Sequence, residues 1–187
     1  MRAAVLLCLS LLVLLAPDVR AEARIEGLTV TVEGSQVLAR WELRDAFDRK
    51  LRERVESGLP TSIVYRIELQ RDRKRWYDRQ LAATTLEVVA LYDAVTREFT
   101  VNSKLDDELI ESRTVRDLPA LAEAMARIGP LPVFALDDLP RGRYRLLVKV
   151  KAELGSRTIL SLIPVTIDTD WAESRKFRLP PAPGGSP

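Results

Sequence analysis

The sequence has no histidine, and its single cysteine is Cys8. Without imidazole, and without a thiol beyond residue 8, there is no Ser-His-Asp triad, cysteine nucleophile, disulfide or attached haem in the body of the chain. Zinc loses its usual ligands as well. Charge of one sign is also lacking. Lys and Arg number 29 against 27 Asp and Glu, a net charge of +2. A dedicated nucleic-acid binder draws affinity from neutralising many phosphates, and this balance argues against one. Asparagine is nearly missing, with Asn102 alone, and Arg far outnumbers Lys. Codon bias of GC-rich bacterial DNA explains that excess more simply than a demand for guanidinium.

Long apolar runs are absent but for one, Ala3 to Ala16. It follows Met1-Arg2 and is closed by Pro17-Asp18-Val19-Arg20-Ala21. A charged start, a short apolar centre and a small-residue exit are the layout of a secretory signal peptide. As a helix the run spans roughly 21 Å at about 1.5 Å per residue, short of the ~30 Å of a bilayer core. A lipid-modified cysteine would follow such a run, whereas Cys8 lies inside it. The expectation is therefore a leader over residues 1–21, cut after Ala21, and a periplasmic or secreted protein. An uncleaved leader tethering the chain to the inner membrane is the alternative. The leader holds two Arg and one Asp, so the delivered chain keeps a net charge of +1.

Beyond the leader most of the chain alternates with period two, the mark of half-buried strands. Leu28, Val30 and Val32 share one face, then Val37, Ala39 and Trp41 after the turn at Gly34-Ser35. Ile63, Tyr65, Ile67 and Leu69 form another stripe. Leu86 to Tyr92 and Glu98 to Asn102 read as a hairpin turning through Asp93-Ala94-Val95-Thr96. Tyr144, Leu146, Val148 and Val150 face one way, and Arg143, Arg145, Lys149 and Lys151 the other. Thr158 to Ile167 reads as one further strand, at an edge or bulge because of Pro164. Two segments change period. Asp45 reads as the cap of a helix carrying Phe47, Leu51 and Val55 and ending at Gly58 and Pro60. Asp117 caps a second helix, Leu118 to Ile128, stopped by Gly129-Pro130. These features predict a mainly β fold with two short helices in the connections. It is an antiparallel β-sandwich or a curved sheet, with α+β as the alternative. One domain is expected over residues 22–179, followed by a flexible Pro/Gly tail over 180–187.

The segments Ser35-Gln36-Val37, Gly58-Leu59-Pro60 leading into Ile63 to Leu69, and Arg73 to Asp78 with Trp76 form an ordered series. It continues through Leu91 to Phe99, the Leu118–Ile128 helix, Arg143 to Leu154, and the closing Trp171 and Ser174-x-x-Phe177. In this order, behind a leader, the chain resembles a secreted proteobacterial family catalogued as domain of unknown function 4390. At the end the family often has more aromatics than this chain, where Trp171 and Phe177 stand alone. The resemblance implies no activity. It implies one context: relatives are often encoded beside a membrane sensor histidine kinase, which makes such a sensor a conceivable periplasmic partner.

Two basic clusters are the candidate interaction patch. Arg71, Arg73, Lys74 and Arg75 sit beside Trp76 and Tyr77, a mixture suited to an acidic protein face or an anionic membrane surface. Arg143, Arg145, Lys149 and Lys151 would gather four cations on one strand face. Each has a plainer reading, as a solvated strand end or as an outward face paired with neighbouring acids. Carboxylates are the only catalytic acids left. Asp106-Asp107-Glu108, Asp137-Asp138 and Asp168-x-Asp170 are the clusters, and turn or cap roles account for them without hydrolysis or Ca²⁺ binding. No catalytic residue, cofactor or metal ligand is assigned. Trp41, Trp76 and Trp171 read as core or edge packing before sugar stacking. The expected function is a secreted, non-enzymatic interaction or accessory protein whose partner is an envelope or inner-membrane protein. A lipid- or glycan-binding module is second and a carboxylate-dependent hydrolase third.

Overall fold

A computed structural model of the chain describes residues 22–72, 79–139, 142, 144–159 and 163–179. The leader with its exit at Ala21, the tail over 180–187, and Arg73, Lys74, Arg75, Trp76, Tyr77 and Arg143 lie outside the described residues.

The period-two stripes become strands whose apolar face is buried. β1 (Arg24–Glu33), β2 (Gln36–Arg44) and β7 (Arg127–Ala135) form a three-stranded sheet in the order β1-β2-β7. The larger sheet joins β3 (Thr61–Arg71), β4 (Arg79–Asp93), β5 (Glu98–Leu105) and β6 (Glu108–Val115) to β8 (Leu146–Ile159). Its order is β10-β8-β3-β4-β5-β6, with β10 (Ala172–Glu173) and β9 (Ile163–Asp168) both on β8. Every pairing is antiparallel. Val37, Ala39, Trp41 and Leu43 of the small sheet join Ile63, Tyr65, Ile67, Leu69, Val148 and Val150 of the large one in a single buried cluster. Trp41 and Tyr65 bridge the sheets edge to face, 5.4 Å between ring centroids. The Tyr65 hydroxyl donates to the Met125 carbonyl at 2.8 Å. The fold is therefore mainly β, two antiparallel sheets with two helices in the connections.

Both helices sit where the periodicity changes, but their ends differ from expectation. α1 spans Arg49–Glu56, and its cap is Asp48, whose Oδ1 accepts from the Leu51 amide at 2.8 Å. Asp45 has φ 57°, a left-handed turn, whereas a cap needs the extended backbone that Asp48 has. α2 spans Leu118–Ala126 and is capped by Asp117 as expected, Oδ1 accepting from Ala120. It stops two residues early. Arg127 is already extended, and Gly129-Pro130-Leu131-Pro132 continue as β7 instead of ending a helix. Those prolines are tolerated because β7 pairs with β2 alone and the β2–β7 register shifts twice.

The single strand expected over Thr158 to Ile167 is a hairpin instead. Thr158 and Ile159 end β8, and β9 returns with Thr158 opposite Pro164. β8 begins at Leu146, not Arg143, so Arg145 and Tyr144 belong to the connection before it.

Candidate functional site

The end of the larger sheet where β3 stops gathers three separate pieces of chain. Arg71, the last residue of β3, lies opposite Arg79, the first of β4, and opposite Leu146, the first of β8. The Asp72 amide donates to the Arg145 carbonyl at 2.9 Å, tying the β3 end to the approach to β8. Phe177 bridges Leu146 on the other side of β8, through reciprocal backbone hydrogen bonds of 2.9 Å. Lys176 and Arg178 flank that bridge. Arg71, Arg79 and Arg145 therefore lie at the same end of the sheet as the closing segment, Arg71 and Arg79 on the face of Leu146 and Arg145 next to it in the chain.

The charge at this end is poorly compensated. Lys176 Nζ pairs with Asp72 Oδ1 at 2.9 Å. Arg71, Arg79, Arg145 and Arg178 make no ion pair with any described residue. The Arg71 guanidinium lies 4.5 Å above the ring of Tyr144. Arg79, Arg145 and Arg178 are exposed. Like charges directly across a strand pair are destabilising, and Arg71 opposite Arg79 is such a pair.

Lys149 and Lys151 belong to a different neighbourhood. They lie further along β8 and are met by acids of the closing segment. Lys149 Nζ pairs with Glu173 at 2.7 Å and Lys151 Nζ with Asp168 at 2.5 Å. Lys151 also stands 5.6 Å from the centre of the half-exposed Trp171 ring. The hydrogen bond and charge of Lys151 hold the Asp168 carboxyl below its ordinary range. Leu147 is buried between Arg145 and Lys149, so the four-cation strand face is broken in the middle.

The carboxylate clusters are parts of turns and pairs. Asp106 and Asp107 both have positive φ, 47° and 70°, and form the two-residue turn between β5 and β6. Asp106 accepts from Thr84 Oγ1 at 2.7 Å and from the Thr85 amide at 2.8 Å, fastening this turn to β4. Asp137 and Asp138 form a single 3-10 turn, Leu136–Asp138. Among the described residues no three His, Cys, Asp or Glu side chains gather as metal ligands would. No described helix is long and apolar enough to cross a membrane.

Two buried hydroxyls escaped sequence reasoning. Thr169 Oγ1 accepts from the Ala152 amide at 3.0 Å, and Ser174 Oγ accepts from the Val148 amide at 3.0 Å. They continue the edge of β8 on either side of the two-residue β10. A small polar residue between charged neighbours gives no sequence signal for this.

Among known families, the model described as Domain of unknown function (DUF4390) matches residues 20–171. No curated protein and no solved structure matches the chain.

Proposed function

This chain belongs to that family, and we propose that it is a non-enzymatic envelope protein that acts by contact, through the basic end of its larger sheet. The partner is an acidic face of another envelope or inner-membrane protein. A leader cut after Ala21 delivers the chain to the periplasm. The observation that carries this reading is the cross-strand pair Arg71–Arg79, which makes no ion pair with any described residue, at the sheet end that Arg145 also joins. A contact surface keeps both cations free for a partner, because complementary charge speeds encounter and selects register. The Arg71–Tyr144 stack adds an aromatic-guanidinium feature of the kind enriched at interfaces.

The test is photo-crosslinking in living cells, with the probe at the exposed Gln80 next to Arg79. Wild type is expected to capture one envelope protein. The triple variant Arg71→Glu, Arg79→Glu, Arg145→Glu is expected to lose that adduct while unfolding at a similar temperature. An adduct that survives all three reversals, or no envelope protein captured at all, overturns the reading.

A further inference from the structure

The opposite edge of the larger sheet is β6, and its outer side pairs with no described strand. An edge of this kind offers free amides and carbonyls to another strand. β6 is exposed along most of its length, with Leu109 57% and Ile110 44% accessible. We propose that β6 is the docking edge for a second copy of this chain. The two copies of β6 would lie antiparallel about a two-fold axis at Ser112.

The register follows from the charges. With Ser112 opposite Ser112, Glu111 of one copy faces Arg113 of the other, and the symmetric pair repeats it. Thr114 and Val115 then lie toward the partner's bulge at Ile110, outside the regular ladder. Shifting the axis to residue 111 sets Glu111 against itself, and shifting it to 113 sets Arg113 against itself. Like charges directly opposite are destabilising, while opposite charges contribute to pairing. An axis between 111 and 112 sets Arg113 against Ile110, and one between 112 and 113 sets both charges against hydroxyls.

Glu111 and Arg113 lie opposite Ser103 and Val101 of β5, which are buried, so both charged side chains stand on the same face. On that face Arg113 Nη2 already donates to the Ala124 carbonyl of α2 at 2.6 Å. Its Nε lies 3.8 Å from Glu111 of the same chain. The guanidinium is therefore held in place before a partner arrives.

Ile110 is the extra residue of a bulge, since Ser103 opposes Glu111 while Lys104 opposes Leu109. Bulges and edge charges prevent indiscriminate edge pairing. Here they shorten the regular ladder to the stretch beginning at Glu111 and select a single register. A ladder of this length is small beside the about 1,200–2,000 Å² of a stable interface, so the association is weak and concentration-dependent.

The full chain carries one thiol, Cys8, so a Cys8→Ala background makes an introduced cysteine unique. In that background Ser112→Cys is expected to form a disulfide-linked dimer on mild oxidation, because the axis brings the two Cα atoms within bridging distance. Thr114→Cys, two residues from the axis, is expected to remain mostly uncrosslinked. Adding Glu111→Arg to Ser112→Cys should cut the crosslinking rate about ten-fold. Mixing that variant with a copy carrying Ser112→Cys and Arg113→Glu should restore it, since the mixed pair is again complementary. Equal crosslinking at positions 112 and 114 overturns the proposal. So does a rate unmoved by Glu111→Arg, or a wild-type chain that sediments as a monomer at its highest soluble concentration.

Discussion

Tyr65 shows how much a single buried side chain ties together. Its ring meets Trp41 of the facing sheet, and its hydroxyl reaches the last turn of α2. Burial alone raises its pKa far above the usual 10.0. The folded state therefore favours the neutral phenol. Below the ordinary tyrosine range both states are neutral and the burial has no pH-dependent effect. Above about pH 10 the unfolded chain ionises and gains stability that the folded chain does not, so folding weakens as pH rises. Tyr65→Phe leaves the Met125 carbonyl without its donor and is expected to cost about 1–2 kcal/mol in a denaturant titration at neutral pH. The same variant should lose less stability between pH 9 and 11 than wild type does. Asp106 acts comparably at a turn. Its left-handed backbone suits a small polar residue, and its two oxygens bind β4. The alternation around Tyr65 made its burial readable from sequence, but its hydrogen-bond partner lies 60 residues away.

At the scale of elements, the closing segment turns the exposed edge of β8 into an interior strand. Three kinds of contact do this: the short β10, the Thr169 and Ser174 hydroxyls, and the Phe177 bridge. Each hydroxyl stands in for a backbone carbonyl where the chain leaves the ladder. Thr169→Val and Ser174→Ala are each expected to cost about 1–3 kcal/mol, the penalty for a buried amide without an acceptor. Amide hydrogen exchange localises the effect. Ala152 should exchange faster in the first variant and Val148 in the second, with distant β5 amides changing only by the global loss. Equal exchange at both amides in both variants would mean that the segment only packs. Helix signals were legible because caps act locally, as Asp117 does. The end of α2 was not, because Gly129-Pro130 reads equally as a helix stop or an irregular edge strand. Pairing with β2 decides between them.

Over the whole molecule, much of the surface charge is arranged as pairs along and across strands. The outer face of the small sheet carries Arg24 with Glu26 and Asp45, Arg44 with Glu42, and Arg127 with Glu42 and Glu123. The larger sheet adds Arg66 with Glu153, Lys104 with Glu87, and the two lysine pairs of β8. Exposed pairs of this kind add little stability individually. At the end of the larger sheet Arg71, Arg79 and Arg145 make no such pair with any described residue. Arg79→Glu places an acid across from Arg71 and is expected to stabilise the fold by about 0.2–1 kcal/mol. It should also weaken capture of the envelope partner, a gain in stability bought with lost contact. A thermal melt set beside the crosslinking yield checks both halves, and a variant that melts higher yet crosslinks fully would separate Arg79 from the contact surface.

The sequence by itself determined most of the strand stripes, the cap of the second helix and the chemistry that is missing, because periodicity, capping and residue type act over a few positions. It also carried the family pattern and both basic clusters. Tertiary structure alone decided which cations meet an acid among the described residues. Arg71, Arg79 and Arg145 lie at one end of the sheet because β3, β4 and β8 are neighbours in it, whereas Lys149 and Lys151 find acids on a segment folded back from the end of the chain. Strand order sets those distances. It depends on how two sheets bury their apolar faces against each other, which no local stretch of sequence specifies.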